Sequence, residues 1–448
     1  MPTVRTLSRS ARLAAALLAA SASCVAARAE TYFLATGRWD NTIVVVDLAR
    51  AMDRANDGTP NAIVNRVRVT PDLPGGAIAS GQPVNVVVSA DRRRAYVVNH
   101  SGPATEAAAR AFQHGHPGLV TVVDLTRALN PAHRGTLGAV EGFIETGGAG
   151  PVGLALAPDG RHAFVTHAEE AGNEDGGNVV AVLDLAARRA VGRVVQAYGN
   201  PGFPCPPATV PHAAPHRDFG CFPDSNGIAY SPVGGGTVIT GNGGTDDVSI
   251  IDATRALAGE GGAELARIPV QTGPFAVTVS PDGRFAAVAN RESAREDAEG
   301  NTVSILDVEK ARTDPRAAEL ARVRVCTDDP ATRTRPFVAA FTPDGGRLVV
   351  TCFRSNNVAV LDLRRALAGG PAELRRIALE TPGGAPSRPR GVAMTPDGRY
   401  AAITGAPRGE PGSSVLWILD LETYAVAGRV TGIGNESYMV ATWVPPER

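Results

Sequence analysis

The side chains able to do chemistry in this chain are histidines, arginines and a few carboxylates, set in long polar stretches. Eight histidines occur; His114-Gly-His116 and His212-x-x-x-His216 each bring two imidazoles within reach of one ion, and His167 stands nearby in the repeat described below. Imidazole suits Zn or Cu, so these five residues are the candidate metal ligands, with Glu169, Glu170 and Asp224 as oxygen donors. Neither spacing is a closed zinc-site pattern, and solvated loop histidines are the plainer reading. The arginines form a second group. Arg291, Arg335, Arg354 and Arg390, with Arg38 and Arg388, could gather at one mouth, and guanidinium forks match carboxylates and phosphates. Loop acids such as Glu292, Asp297 and Glu410 would pair with some of them. Asn85, Asn226 and Glu436 add polar lining, which makes a small anionic ligand the expected guest.

Signatures of catalysis are thin. The chain has no Gly-x-Ser-x-Gly elbow, no phosphate-cradling Gly-Lys-Ser/Thr loop and no His-Glu-x-x-His helix. Lys310 is the only lysine, so a Schiff-base mechanism would have to use it. A hydrolase would need an acid–base pair, such as His116 with Glu169.

The ends and the cysteines speak to compartment. Arg5, Arg9 and Arg12 precede the apolar run 13–20, and small residues lead to Ala27-Arg28-Ala29, the order of a secretory signal over residues 1–29 cleaved before Glu30. That run is too short to span a bilayer. Cleavage would remove four arginines and no acids, taking the formal charge from −1 to −5, which disfavours nucleic acid as a partner. The expected location is periplasmic or secreted. Four cysteines would remain, Cys205, Cys221, Cys326 and Cys352, an even number suited to two disulfides.

Positioning these residues is the task of an internal repeat. Units beginning at Pro83, Pro151, Asn226, Pro274, Pro336 and Pro389 each carry an alternating apolar run, a turn and a second run. A polar loop and a third run ending in Asp follow. The turns read Ala-Pro-Asp-Gly (157–160), Ser-Pro-Asp-Gly (280–283), Thr-Pro-Asp-Gly (342–345 and 395–398) and, as a variant, Ser-Ala-Asp-Arg (89–92). Pro and Gly there serve tight hairpins. Small four-stranded sheets repeated in this way bury their faces only by stacking radially. The predicted fold is all-β, a seven-bladed β-propeller occupying 30–448 as a single domain. Its seventh blade would combine strands from 30–70 with one from 437–448, sealing the free edges.

The segments Tyr96-Val97-Val98-Asn99, Phe164-Val165-Thr166-His167, Ala287-Val288-Ala289-Asn290 and Val349-Val350-Thr351-Cys352 resemble the second strand of the YVTN-type β-propeller repeat. The Ser/Thr-Pro-Asp-Gly-Arg turns and Asn-x-Val-x-Val-Leu-Asp-Leu strands are similar to that family too. The resemblance implies the fold but no single activity, since similar scaffolds serve as exported binding proteins, surface-layer modules, redox-enzyme subunits and lactonases. On the long-loop face the leading expectation is a binding or accessory protein for a small anion, a metal ion or a partner protein. A cofactor-free lactonase-like hydrolase or lyase is the alternative, and the heavy subunit of a periplasmic redox enzyme is another.

Overall fold

Alternating apolar runs fold as antiparallel strands, and the residues between them make the turns. The computed structural model describes residues 30–102, 117–170, 173–201, 221–293, 298–407 and 412–447. In the Ser-Pro-Asp-Gly turn, Ser280 Oγ donates to Asp282 at 2.5 Å and the same carboxylate accepts the Arg284 N–H at 3.1 Å. Thr342–Asp344, Thr395–Asp397 and Ser89–Asp91 repeat the hydroxyl–carboxylate contact. Gly283 closes its turn at φ +77°, and in the variant turn Arg92 takes that left-handed place at +59°.

The recurring Asp at the end of each third run is a cap. Asp47, Asp124, Asp252, Asp307 and Asp362 each accept a backbone N–H three residues on, starting short helices such as Ala253–Ala258 and Val308–Thr313. Asp184 and Asp420 accept two successive N–H groups in the same way, without a helix following. Such caps hold the crossing to the outer strand at one geometry.

The strands form five four-stranded sheets and one of seven strands. The large sheet exists because Val140–Leu156 is continuous: residues 140–145 pair with Pro117–Asp124, and 151–156 pair with His162–Glu170. The sequence led us to expect two separate units there. The chain instead keeps pairing across Thr146–Gly150 despite left-handed turns at Gly147 and Gly150, so the outer strand of one unit runs on into the first strand of the next. Another sheet runs Ser437–Trp443, Tyr32–Gly37, Thr42–Asp47, Ile63–Arg68, pairing Phe33 with Thr442 and Leu34 with Ala441.

First strands pack against first strands in a circuit. Pro83–Val88 touches the second half of Val140–Leu156, followed in turn by Ser225–Ser231, Pro274–Val279, Pro336–Phe341, Pro389–Met394 and Ser437–Trp443, which meets Pro83–Val88 again. This is a β-propeller, with apolar clusters between neighbouring sheets, as where Leu34, Val45 and Trp443 meet Val86 and Val97. Threonines near the ends of second strands stitch adjacent sheets. The hydroxyls of Thr166, Thr351 and Thr404 donate to the carbonyls of Asn226, Arg390 and Tyr438 at 2.5, 2.6 and 2.7 Å. A disulfide joins Cys326 to Cys352, and Cys221 is also disulfide-bonded; Cys205 lies outside the described residues. Among the described residues no helix is long and apolar enough to cross a membrane.

Two stretches whose polar composition reads as long loops, 167–178 and 291–301, are strand over most of their described residues. His162–Glu170 and Asn173–Asp184 continue pairing as far as Glu169 with Gly176 and Glu170 with Asn173. Phe285–Ser293 and Ala298–Asp307 likewise pair Glu292 with Glu299. Their polar composition disguised them, because a hairpin that leaves the core has no apolar face to advertise. The consequence is that Glu169 and Arg291 stand on ladders rather than on loose loops.

Candidate functional site: the axial cavity

Three positions in each repeat point toward the centre of the circuit. The residue leading into each first strand is left-handed: Gln82, Gly150, Asp224, Gly273, Arg335, Arg388 and Glu436 all hold φ between +44° and +57°. Non-glycine residues pay for that geometry with strain, which concentrates at functional sites. The second residue of each first strand forms the next tier: Val84, Val152, Asn226, Phe275, Phe337, Arg390 and Tyr438. The third tier comes from the far ends of second strands: Arg38, His100 and Phe353 directly follow theirs, and Ala168 and Arg291 stand where theirs extend beyond the repeat. Backbone bonds lock the tiers together, for example His100 N–H to Gln82 O at 3.1 Å, Arg291 N–H to Gly273 O at 3.0 Å and Phe353 N–H to Arg335 O at 3.0 Å.

Where the tiers meet there is a cavity of about 190 Å³ lined by Arg38, Val84, His100, Val152, Ala168, Glu169, Asn226, Phe275, Arg291 and Tyr438. Its floor is aromatic. Phe275 and Phe337 lie 4.4 Å apart by ring centroid, Phe337 and Tyr438 5.3 Å, and Phe337 and Phe353 6.0 Å.

A histidine–carboxylate pair forms one wall. His100 Nε2 stands 2.9 Å from Glu169 Oε1, with both side chains largely buried. His100 Nδ1 faces the Pro151 carbonyl at 3.3 Å. A carbonyl can only accept, so Nδ1–H is the donor in that contact, which turns Nε2 toward the carboxylate. The conformation of Gly150 makes room for this carboxylate: a Cβ there would sit 2.4 Å from Glu169 Cγ. Such a pair can give and take a proton beside a bound molecule.

Guanidinium groups supply the rest of the wall. Arg38 donates to Gln82 Oε1 at 2.8 Å and lies 5.5 Å from the Tyr438 ring centre. Arg291 covers Phe275 at 4.6 Å and Phe337 at 4.9 Å while pairing with Glu292 at 2.7 Å. Glu292 also pairs with Arg335. Arg390, only 2% exposed, reaches Glu436 at 3.0 Å and the Ser437 carbonyl at 3.2 Å. Burial pushes its guanidinium down to about 10, which leaves it charged at neutral pH. Trp39 Nε1 donates to the other oxygen of Glu436 at 2.7 Å. Arg38, Arg291, Arg335, Arg388 and Arg390 thus outnumber Glu169, Asp224, Glu292 and Glu436 by five to four around the aromatic floor.

The sequence-derived candidates divide accordingly. Asn226 and Arg291 line the cavity, and Arg335, Arg390 and Glu436 stand in the charged network beside it. Asn85 does not join them. It is the third residue of its strand, Val84 takes the inward position, and Asn85 Oδ1 accepts the Val86 N–H at 2.8 Å. Asn85, Asn226 and Glu436 are therefore not equivalent positions; Glu436 corresponds to Gln82 and Arg388. Arg354 is exposed beyond Phe353, its N–H bonded to Thr334 O at 3.0 Å. His167 is a core residue rather than a presented ligand: Nε2 meets Thr146 Oγ1 at 2.9 Å and Nδ1 meets Val179 O at 3.3 Å. Burial pushes its imidazole down to about 4. Among the described residues no three metal-ligating side chains gather, and His114, His116, His212 and His216 lie outside them. Phe275, Phe337 and Gln82 were missed; the Pro-Phe pairs at 274–275 and 336–337, each opening a first strand, are the signal that could have found the two aromatics.

Comparison with known proteins agrees on fold. No protein-family model and no curated protein matches the chain. Among solved structures, the periplasmic gluconolactonase of Pseudomonas aeruginosa is 18% identical, with a TM-score of 0.61 over 93% of this chain and 100% of that one. A protein from Desulfotomaculum acetoxidans of unknown function is 17% identical, with a TM-score of 0.58 over 93% and 99%. A Bacteroides fragilis chain provisionally assigned as a 6-phosphogluconolactonase is 15% identical, with a TM-score of 0.60 over 93% and 99%. At these identities the likeness is one of fold.

Proposed function

We propose that this chain is an exported, seven-bladed propeller that binds a small anionic molecule in its axial cavity. The blade count follows from dividing Val140–Leu156 between two blades, and the repeated left-handed lead-in residues support that division. Export is supported by the signal-like start and by the Cys326–Cys352 disulfide, which suits an oxidising compartment. The observation that carries the ligand class is the convergence of Arg38, Arg291 and their neighbouring arginines on an aromatic-floored cavity. At about 190 Å³ it is smaller than the ~300–1,000 Å³ typical of drug-sized sites, so its guest is a compact molecule.

One observation favours a second reading, hydrolysis of a cyclic ester. The buried His100–Glu169 pair places a proton donor and acceptor on the cavity wall beside cationic groups that could steady a developing oxyanion. The gluconolactonase among the structural neighbours makes a sugar lactone the natural substrate to try.

Titration calorimetry with gluconate tests the binding reading. Wild-type protein should release or take up heat at one site per chain. Arg38→Gln should weaken the affinity about tenfold, the equivalent of ~1.4 kcal/mol. Absence of any saturable heat with gluconate and with inorganic phosphate would overturn it. For the second reading, proton release from glucono-δ-lactone should exceed the spontaneous rate and fall at least a hundredfold in Glu169→Gln.

A further inference from the structure

The cationic residues do not form a single spot. Arg38 and Arg291 belong to the cavity itself, whereas three other arginines surround one ring beside it. Phe353 lies under the guanidinium groups of Arg335, Arg388 and Arg390 at 5.2, 5.8 and 5.3 Å from its centre. Two of these have assigned carboxylates, Glu292 for Arg335 and Glu436 for Arg390. Arg388 has none among the described residues; its charge is answered only by the Phe353 ring. Its backbone is nonetheless held firmly, with the N–H donated to Asn356 Oδ1 at 3.0 Å and φ at +44°. Ser387 Oγ adds a bond to Asn356 O at 3.4 Å. A half-buried cation on a strained, well-anchored backbone, with no acid partner among the described residues, is poised for an anionic group of a ligand.

The two groups are bridged. Glu292 touches both Arg291 and Arg335, and Tyr438 is faced by Arg38 at 5.5 Å and by Arg390 at 5.3 Å. A molecule seated against Arg38 and Arg291 could therefore extend over the aromatic floor toward Arg388. We infer that Arg388, above Phe353, is a second anion subsite, and that the preferred ligand is a compact molecule with an anionic group at each end. The inference rests on the anion-binding reading of the axial cavity and sharpens it to a dianion class.

A matched pair of ligands separates the two ideas. Gluconate and glucarate share one carbon skeleton and differ by a second terminal carboxylate. Dicarboxylates from succinate to suberate, each against its monomethyl ester, vary the spacing. By calorimetry at fixed ionic strength, glucarate or one of the dicarboxylates should bind wild-type protein at least tenfold more tightly than its single-charge partner. Arg388→Asn, chosen because Asn tolerates the left-handed backbone, should abolish that advantage, lowering glucarate affinity far more than gluconate affinity. Arg388→Lys should keep most of it. Equal affinity for every matched pair, or an advantage that survives in Arg388→Asn, would overturn the second subsite while leaving the cavity reading intact. Failure of both members of every pair to bind would remove the reading on which the inference depends. Circular dichroism and melting of each variant exclude loss of fold as the cause.

Discussion

At the scale of single residues, two histidines that look alike in sequence have opposite roles. His100 faces the Glu169 carboxylate at 2.9 Å on a cavity wall, whereas His167 is sealed between Thr146 and Val179. The second role has a pH signature. With its folded value pushed to about 4 by burial, against 6.5 when unfolded, His167 binds its proton more readily in the unfolded chain. Its contribution is intact above pH 6.5 and is lost as pH falls toward 4, by roughly 3 kcal/mol in all. Denaturant unfolding of His167→Gln should therefore show a shallower loss of stability across that window than wild type. Parallel slopes would contradict the buried-neutral assignment. The sequence made the arginine excess legible, because guanidinium chemistry is a property of the side chain alone. It could not show which histidine faced the cavity, since that depends on register within a strand and on which blade stands beside it.

At the scale of elements, the repeat was legible because its punctuation has local causes. The hydroxyl–carboxylate turns and the Asp caps act within a few residues of themselves. Asp252→Ala should cost about 1 kcal/mol, measured by urea unfolding, without altering ligand affinity. The hairpin extensions at Glu169 and Glu292 were not legible, for they are polar on both faces. They nevertheless decide how rigidly the site is held. Gly150 is the corresponding hinge point: Gly150→Ala would press a methyl group into Glu169 at a left-handed position. We expect a stability loss of about 1–3 kcal/mol together with weakened gluconate binding. Unchanged affinity in that variant would show that the placement of Glu169 does not matter to the ligand.

At the scale of the whole molecule, the ring depends on a sheet made from both ends of the described chain. Trp443, 1% exposed, packs on Tyr32 at 5.3 Å and donates its indole N–H to the Arg92 carbonyl at 2.8 Å, joining that sheet to the next. Trp443→Ala should cost roughly 3–5 kcal/mol by denaturant unfolding, and a loss below 1 kcal/mol would count against closure through this strand. The Cys326–Cys352 bridge closes a span of 26 residues and ends beside Phe353, so it steadies the site as well as the rim. Closure by the terminal strands was visible as leftover runs at the two ends. The fusion of two units into one seven-stranded sheet was not, because Thr146–Gly150 carries the glycines of a turn, two of them left-handed, and yet keeps its strand pairing through Ala149.

The central claim is that a small anion sits in the axial cavity, and the most direct test is a crystal structure of the protein soaked with gluconate. The account predicts a carboxylate within hydrogen-bonding distance of the Arg38 or Arg291 guanidinium, with the carbon chain over Phe275 and Tyr438. Ligand density only at a blade rim, or a cavity holding water alone under saturating gluconate, would contradict it.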